Sequence, residues 1–172
     1  MAVGHFAFAG YNTSNNLPTD LDRIKAMAEA IEKFLKNIKA KNIVTKTADE
    51  VNDWWRTVKG YTDPPYTPES IVLEFELEEA TKFVRVYDDI NSPMKGQWFI
   101  KAEDIAGLTP SQIQNKFALP TEPKYVVDLE LPAGSKIRMG EANSLYGFTG
   151  KGIQFDAMGQ YFDGWVNPRL LP

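Results

Sequence analysis

The chain has 172 residues, 43% of them hydrophobic and 12% aromatic, with 19 basic against 23 acidic side chains and no cysteine. That is enough apolar material for the core of one domain, or of one domain with an appendage. The acidic balance, without a basic stripe, argues against a nucleic-acid binder, the missing cysteines exclude disulfides and thiol nucleophiles, and no apolar run reaches the ~18 residues of a membrane span.

His5 is the single histidine. A serine–histidine or cysteine–histidine hydrolase scheme therefore has no well-placed base, and a zinc site lacks its usual ligands. Met1–Gly10 is apolar but carries no basic n-region, so it reads poorly as a secretory signal.

The first predicted element is a helix. Thr19 and Asp22 stand at capping-box spacing. Leu21, Ile24, Ala28, Ile31, Leu35 and Ile38 then recur in steps of three and four, one apolar stripe on an amphipathic helix. Glu29–Lys33 and Glu32–Lys36 are i,i+4 pairs in the favourable order. Lys33, Lys36, Lys39 and Lys41 cluster near its end, where cations are favoured. The stripe packs either on its own domain or on a separate partner.

A second helix is predicted from Thr47, with Glu50 at the capping-box position and Gly60 at its end. Val51, Trp54, Trp55 and Val58 form its apolar face, and the two tryptophans read as core rather than as a stacking platform. Tyr61–Pro68 holds three prolines and reads as a rigid connector. From Ser70 the period changes to two. Val72, Glu74 and Glu76 alternate with Leu73, Phe75 and Leu77, a half-buried strand whose glutamates face solvent. Further strands are predicted at Lys82–Tyr87, Gln97–Lys101, Tyr125–Leu131, Ser135–Met139, Gly152–Ala157 and Tyr161–Val166. Thr109-Pro-Ser-Gln112 opens one short helix between them. Many short strands with few intervening helices predict an α+β fold, a mainly antiparallel sheet core with N-terminal amphipathic helices. The boundary falls between an N-terminal helical segment, 1–45, and a principal domain, 46–172.

Two side chains stand out chemically. In Lys82–Tyr87, Val84 and Val86 take one face, read as the core, and Phe83, Arg85 and Tyr87 take the other. An arginine between aromatics can fork onto a phosphate while the rings hold a flat group; the alternative is a surface arginine paired with Asp88 or Asp89. Gln154 shares a strand face with Asp156, and an amide that donates and accepts suits a ribose diol or a carboxamide; the alternative is a solvated glutamine. Asp88-Asp-Ile-Asn91-Ser lacks the later glutamate of a calcium loop and reads as a polar turn. The glycine-rich loop Gly147–Gly152 precedes a strand, not a helix, so it is not a dinucleotide fingerprint.

Three blocks, in order, resemble the tuberculosis necrotizing toxin family of NAD glycohydrolase domains. The first is Phe83-Val-Arg85-Val-Tyr87 followed by Gly96-Gln-Trp98-Phe. The second is Phe117-Ala-Leu-Pro120 with Pro123-Lys-Tyr125. The third runs from Gly140 through Asn143, Gly147, Gly150 and Gly152 to Gln154-Phe155. The resemblance implies that residues 46–172 form a toxin domain that hydrolyses the nicotinamide–ribose bond of NAD or NADP. The nucleotide is then substrate rather than cofactor, and no metal is needed. It implies Arg85 and Gln154 as the catalytic pair. Phe83, Tyr87 and Trp98 would pack on the nicotinamide ring, and Tyr125, Gly150, Gly152 and Asp156 would complete the substrate site. It also implies a secreted or polymorphic toxin acting in the cytoplasm of a target cell, checked by a cognate immunity protein. Lys151 stands where the family commonly has glycine, Tyr125 where some members have histidine, and Phe117 near a position that is arginine in some. An ADP-ribosyltransferase, with Asp156 in the place of its usual glutamate, and a non-catalytic interaction module are the alternatives.

Overall fold

The computed structural model describes residues 17–172; Met1–Asn16, His5 among them, lie outside the described residues. The order of elements is α1 (Leu17–Phe34), β1 (Ala40–Thr47), α2 (Ala48–Lys59), β2 (Ile71–Leu77), β3 (Thr81–Tyr87), β4 (Trp98–Phe99), α3 (Pro110–Phe117), β5 (Tyr125–Leu131), β6 (Lys136–Glu141), β7 (Ile153–Asp156) and β8 (Trp165–Leu170). The fold is α+β with a mainly β core. Five strands form one sheet in the order β1-β2-β6-β7-β4, and three form another in the order β3-β5-β8. Every paired neighbour is antiparallel. A two-way hydrogen-bonded bridge between Val84 and Ile100, 2.8 Å in each direction, ties β3 to the chain just past β4.

The alternation of β2 is kept: Leu73, Phe75 and Leu77 are buried and Glu74 and Glu76 are half-buried. With Ile137, Met139, Phe99 and Phe155 they form the main core, which Phe83, Leu129 and Leu131 close from the small sheet. α1 adds Ile31 and Phe34, and the turn after it adds Ile38, so the second half of the predicted stripe packs on its own domain. A second cluster lies under α2, built from Ala48, Val51, Trp55, Tyr66 and Val72. A third packs α3, through Ile113 and Phe117, on Val84 and Val126.

Local signals set the helix ends. Thr47 accepts the N–H of Glu50 at 3.0 Å, and Gly60 closes α2 in left-handed backbone. Thr109 and Gln112 form the full reciprocal capping box at the start of α3. Four expectations need correction. α1 begins at Leu17, so Thr19 is not its N-cap, and Leu21 is 49% exposed. The proposed boundary between 1–45 and 46–172 cuts through β1, which pairs with β2 along most of its length. The sequence pattern does not predict β1, Ala40–Thr47, because an irregularity between Lys41 and Val44 breaks the alternation. The last strand lies at 165–170 rather than 161–166: β8 is an edge strand, mostly exposed, so no buried face marks its limits in the sequence. No described helix is long and apolar enough to cross a membrane.

Candidate active site

A cleft of about 350 Å³ opens where β3 of the small sheet meets β4 and β7 of the large one. Arg85, Tyr87, Trp98 and Gln154 all line it. The strands deliver these four and Val86, α3 delivers Phe117, and the rest of the wall comes from segments between elements. Tyr61, Asp63 and Pro65 come from the proline-rich connector, Asn91 and Ser92 from the turn after β3, Leu119, Pro120 and Pro123 from the chain after α3, and Asn143, Leu145 and Tyr146 from the loop before β7. The volume lies within the roughly 300–1,000 Å³ of small-molecule sites.

Arg85 is 9% exposed. Its Nε–H donates to the carbonyl of Pro93 at 3.1 Å, and an Nη1–H donates to the carbonyl of Trp98 at 3.0 Å. Among the described residues no carboxylate comes within ion-pair distance of it, whereas Arg56 and Arg169 each meet one and Arg138 meets two. The expected pairing with Asp88 or Asp89 is therefore absent. Nη2 donates no hydrogen bond within the described protein. Burial lowers the Arg85 pKa from its ordinary value, with Tyr61 acting in the opposite direction; a guanidinium starts so far above neutrality that it stays cationic. Burying a charge without a partner is costly, so an unpaired cation facing a cleft marks a place for an anion.

Two backbone features aim this guanidinium. Asp88 accepts the N–H groups of Ile90, Asn91 and Ser92 at 2.8–3.0 Å and so builds the turn that leads to Pro93. Those bonds, the Ser92 N–H foremost, hold its carboxyl far below the usual range. Gly96 lies flat against the guanidinium: a Cβ there would stand 2.5 Å from Nη2. Gly96→Ala must therefore displace the end of the Arg85 side chain. The expected result is weaker binding of an anionic ligand such as pyrophosphate with little loss of stability, read from affinity and melting temperature together. Unchanged affinity in this variant would show that the guanidinium position does not matter.

Gln154 is 8% exposed. Its Nε2 donates to the Pro65 carbonyl at 2.9 Å, while Oε1 accepts nothing from the described residues. The amide is thus oriented, with its acceptor left for a ligand. Trp98 is anchored at its polar end, where the indole N–H donates to the Tyr61 hydroxyl at 2.9 Å. Asp63 is the one carboxylate among the residues that line the cleft. Burial raises the Tyr146 pKa, and Asp63 beside it pushes in the same direction.

Several expected contacts lie elsewhere. Phe83 is 1% exposed and packs on Phe99 and Phe155 at 5.0 and 4.8 Å between ring centroids, so it is core. β3 has no outward polar face: Val84 is buried under α3, and Phe83, Arg85 and Tyr87 are buried on the other side. Tyr125 is not in the wall but stacks behind Tyr87, with centroids 5.3 Å apart. Gly150 and Gly152 do not line the cleft. Their N–H groups donate to Asn115 and Lys116, and a Cβ on Gly152 would meet the Phe117 ring at 2.6 Å. They let the loop lie against α3. Asp156 is fully buried, accepting the Tyr66 hydroxyl at 2.6 Å and the Met158 N–H at 2.8 Å, with Arg138 Nε at 3.3 Å. It does not reach the cleft.

The sequence reading missed Asp63, Pro65, Asn143 and Tyr146. The clustered prolines of 64–68 and the polar residues of the glycine-rich segment were the available signals, and neither says that the two loops meet. They do meet: Asn143 donates from its backbone to Pro65 and from its side chain to Pro64, both at 3.0 Å. Among the described residues no group of three or more histidine, aspartate or glutamate side chains is placed to hold a metal ion. Set against protein-family models, curated proteins and solved structures, the chain matches none.

Proposed function

We propose that this chain is an NAD glycohydrolase, releasing nicotinamide and ADP-ribose by hydrolysis of the bond between them. One observation carries the reading: a buried, carboxylate-free arginine and an oriented glutamine open into one aromatic-walled cleft. NAD has the complementary parts. Its pyrophosphate suits the guanidinium, its ribose hydroxyls suit the amide oxygen, and its nicotinamide ring suits Trp98 and Tyr87. The resemblance of the 83–99, 117–125 and 140–155 blocks to the necrotizing toxin family points to the same substrate.

In this reading the glycosidic C–N bond breaks and its electron pair goes to the ring nitrogen, which is cationic in NAD and neutral in the product. The ribose is left as an oxocarbenium ion. Water adds at the anomeric carbon and loses its proton to solvent. Arg85 holds the pyrophosphate, Gln154 holds the nicotinamide ribose, and the Asp63 carboxylate offsets the developing positive charge. Positioning and fixed dipoles of this kind supply several kcal/mol. The transferase alternative wants an acid beside Gln154, and Asp156 is turned away into its contacts with Tyr66 and Arg138. That favours water as the acceptor. The same reading makes the chain a toxin domain that drains NAD in a target cell and is neutralised by an immunity partner.

The test is incubation of purified protein with NAD, measuring free nicotinamide, with and without a chelator and with a protein acceptor present. Nicotinamide and free ADP-ribose in equal amounts, insensitive to chelator, are expected. Intact NAD after hours with folded protein rejects the reading, and label on the acceptor selects the transferase.

A further inference from the structure

Gln154 is oriented by a carbonyl, and that carbonyl is itself held in place. Pro65 and Tyr66 are stitched to β7 at two points two residues apart. Pro65 accepts Gln154 Nε2 at 2.9 Å, and the Tyr66 hydroxyl donates to Asp156 Oδ2 at 2.6 Å. The two sites are separated by about half the chain, so neither contact is local. On the other side, the Asn52 side-chain amide clasps the Tyr66 backbone, its oxygen accepting the Tyr66 N–H and its nitrogen donating to the Tyr66 carbonyl, both at 2.9 Å. The Tyr66 ring is fully buried and lies over Gly140, where a Cβ would stand 2.9 Å from Cδ1.

The Asp156 carboxylate is held in turn. Met158 donates to its Oδ1, and Arg138 stands beside it with its guanidinium 4.5 Å over the Trp54 ring. Burial raises the Tyr66 pKa well above its ordinary value, and the Asp156 charge adds to that. The hydroxyl therefore stays protonated and keeps donating at any ordinary working pH. None of these groups lines the cleft. We infer that Tyr66, held by Asp156, is a positioning residue for Gln154: with the Asn143 N–H, which also donates to the Pro65 carbonyl at 3.0 Å, it fixes the carbonyl that turns the Gln154 amide oxygen toward the ligand.

Asp156 thus has a role in the site, though not the one expected of it. It acts through the connector rather than on the ribose. The logic explains why an acid two residues after Gln154 is useful without touching substrate. Side chains at i and i+2 share a strand face, so one face of β7 grips both residues of a dipeptide.

The inference rests on the glycohydrolase reading for its rate readout only. Tyr66→Phe keeps the ring and removes the hydroxyl. It should lower the kcat for nicotinamide release at least about tenfold, with KM changed less than threefold, because a misplacement of the order of an ångström costs up to about 100-fold. In a Gln154→Ala background the same change should have little further effect, since the two then act along one route. Independent effects that multiply would overturn the inference, as would wild-type kcat in Tyr66→Phe. A second readout needs no catalysis. NMR should find the Gln154 side-chain amide protons exchanging at least about tenfold more slowly than those of exposed Gln112 in unaltered protein, and that protection should fall in Tyr66→Phe. Equal protection of Gln154 in the two proteins would overturn the inference. Protection lost in Tyr66→Phe, in a protein that leaves NAD intact, would keep the positioning and discard the glycohydrolase.

Discussion

Arg85→Lys should lower nicotinamide release by at least about 100-fold, the scale seen when one preorganised donor is removed from an active site. The substitution keeps the charge. It loses the planar fork, which in this protein spends Nε on Pro93 and Nη1 on Trp98 while leaving Nη2 for the ligand. An ammonium can satisfy one of those carbonyls but cannot serve all three directions at once. The cost in stability is smaller. A buried carbonyl left without its donor is worth about 1–3 kcal/mol, or roughly 2–12 °C in melting temperature for a chain of this size. The two effects separate when turnover is measured well below the melting transition of the variant. Turnover close to wild type would remove Arg85 from the mechanism. The comparison also distinguishes a pyrophosphate clamp from a general cation, because only the former is sensitive to geometry at constant charge.

The largest stability effect is expected at Trp55, which carries no site residue's role. Its side chain is fully buried, with Trp54, Trp98 and Tyr61 around it at centroid distances of 5.0, 4.9 and 4.8 Å. Trp55→Ala should cost about 3–5 kcal/mol, a large part of the roughly 5–15 kcal/mol that holds a domain together. Because Trp98 and Tyr61 both line the cleft, whatever protein remains folded should also bind NAD less well. Trp55→Phe should cost distinctly less than its loss of volume suggests. Among the described residues the buried indole N–H has no hydrogen-bond partner, and phenylalanine removes that unmet donor. Urea unfolding of the two variants checks both statements. A loss below about 1 kcal/mol for Trp55→Ala would mean that the cluster under α2 is not a core.

The glycine-rich segment shows where a correct pattern led to a wrong role. The family resemblance implies Gly150 and Gly152 in the substrate site, but the room they provide is taken by protein. Gly152 admits the Phe117 ring, and the loop around Gly150 bonds back to Asn115 and Lys116. The glycine that serves the site is Gly96, on the Arg85 guanidinium. A lone glycine beside a short strand carries no signal that a distant arginine will lie on it. Phe83 failed similarly. Alternation put it on the Arg85 face correctly, yet the next layer covers that face at Phe83 and leaves it open at Arg85.

What the sequence by itself determined is local. The caps at Thr47 and Thr109 followed from hydrogen bonds within four residues, and the strands at 71–77, 81–87 and 125–131 from the period-two repeat of apolar side chains. These, with the strand predicted at Gly152–Ala157, point to the α+β class and put Arg85 and Gln154 on strands. Only the tertiary structure decided which faces are covered, that Arg85 meets no carboxylate among the described residues, and that Asp156 meets Tyr66 instead of the cleft. It also decided that Asp63, Pro65 and Tyr146 belong to the site. The physical reason is the range of the contacts. Periodicity tells which residues share a face, because backbone geometry repeats every two or 3.6 residues. It says nothing of what packs on that face, and the bonds that build this cleft, Gln154 to Pro65 and Tyr66 to Asp156, close across 89 and 90 residues of chain.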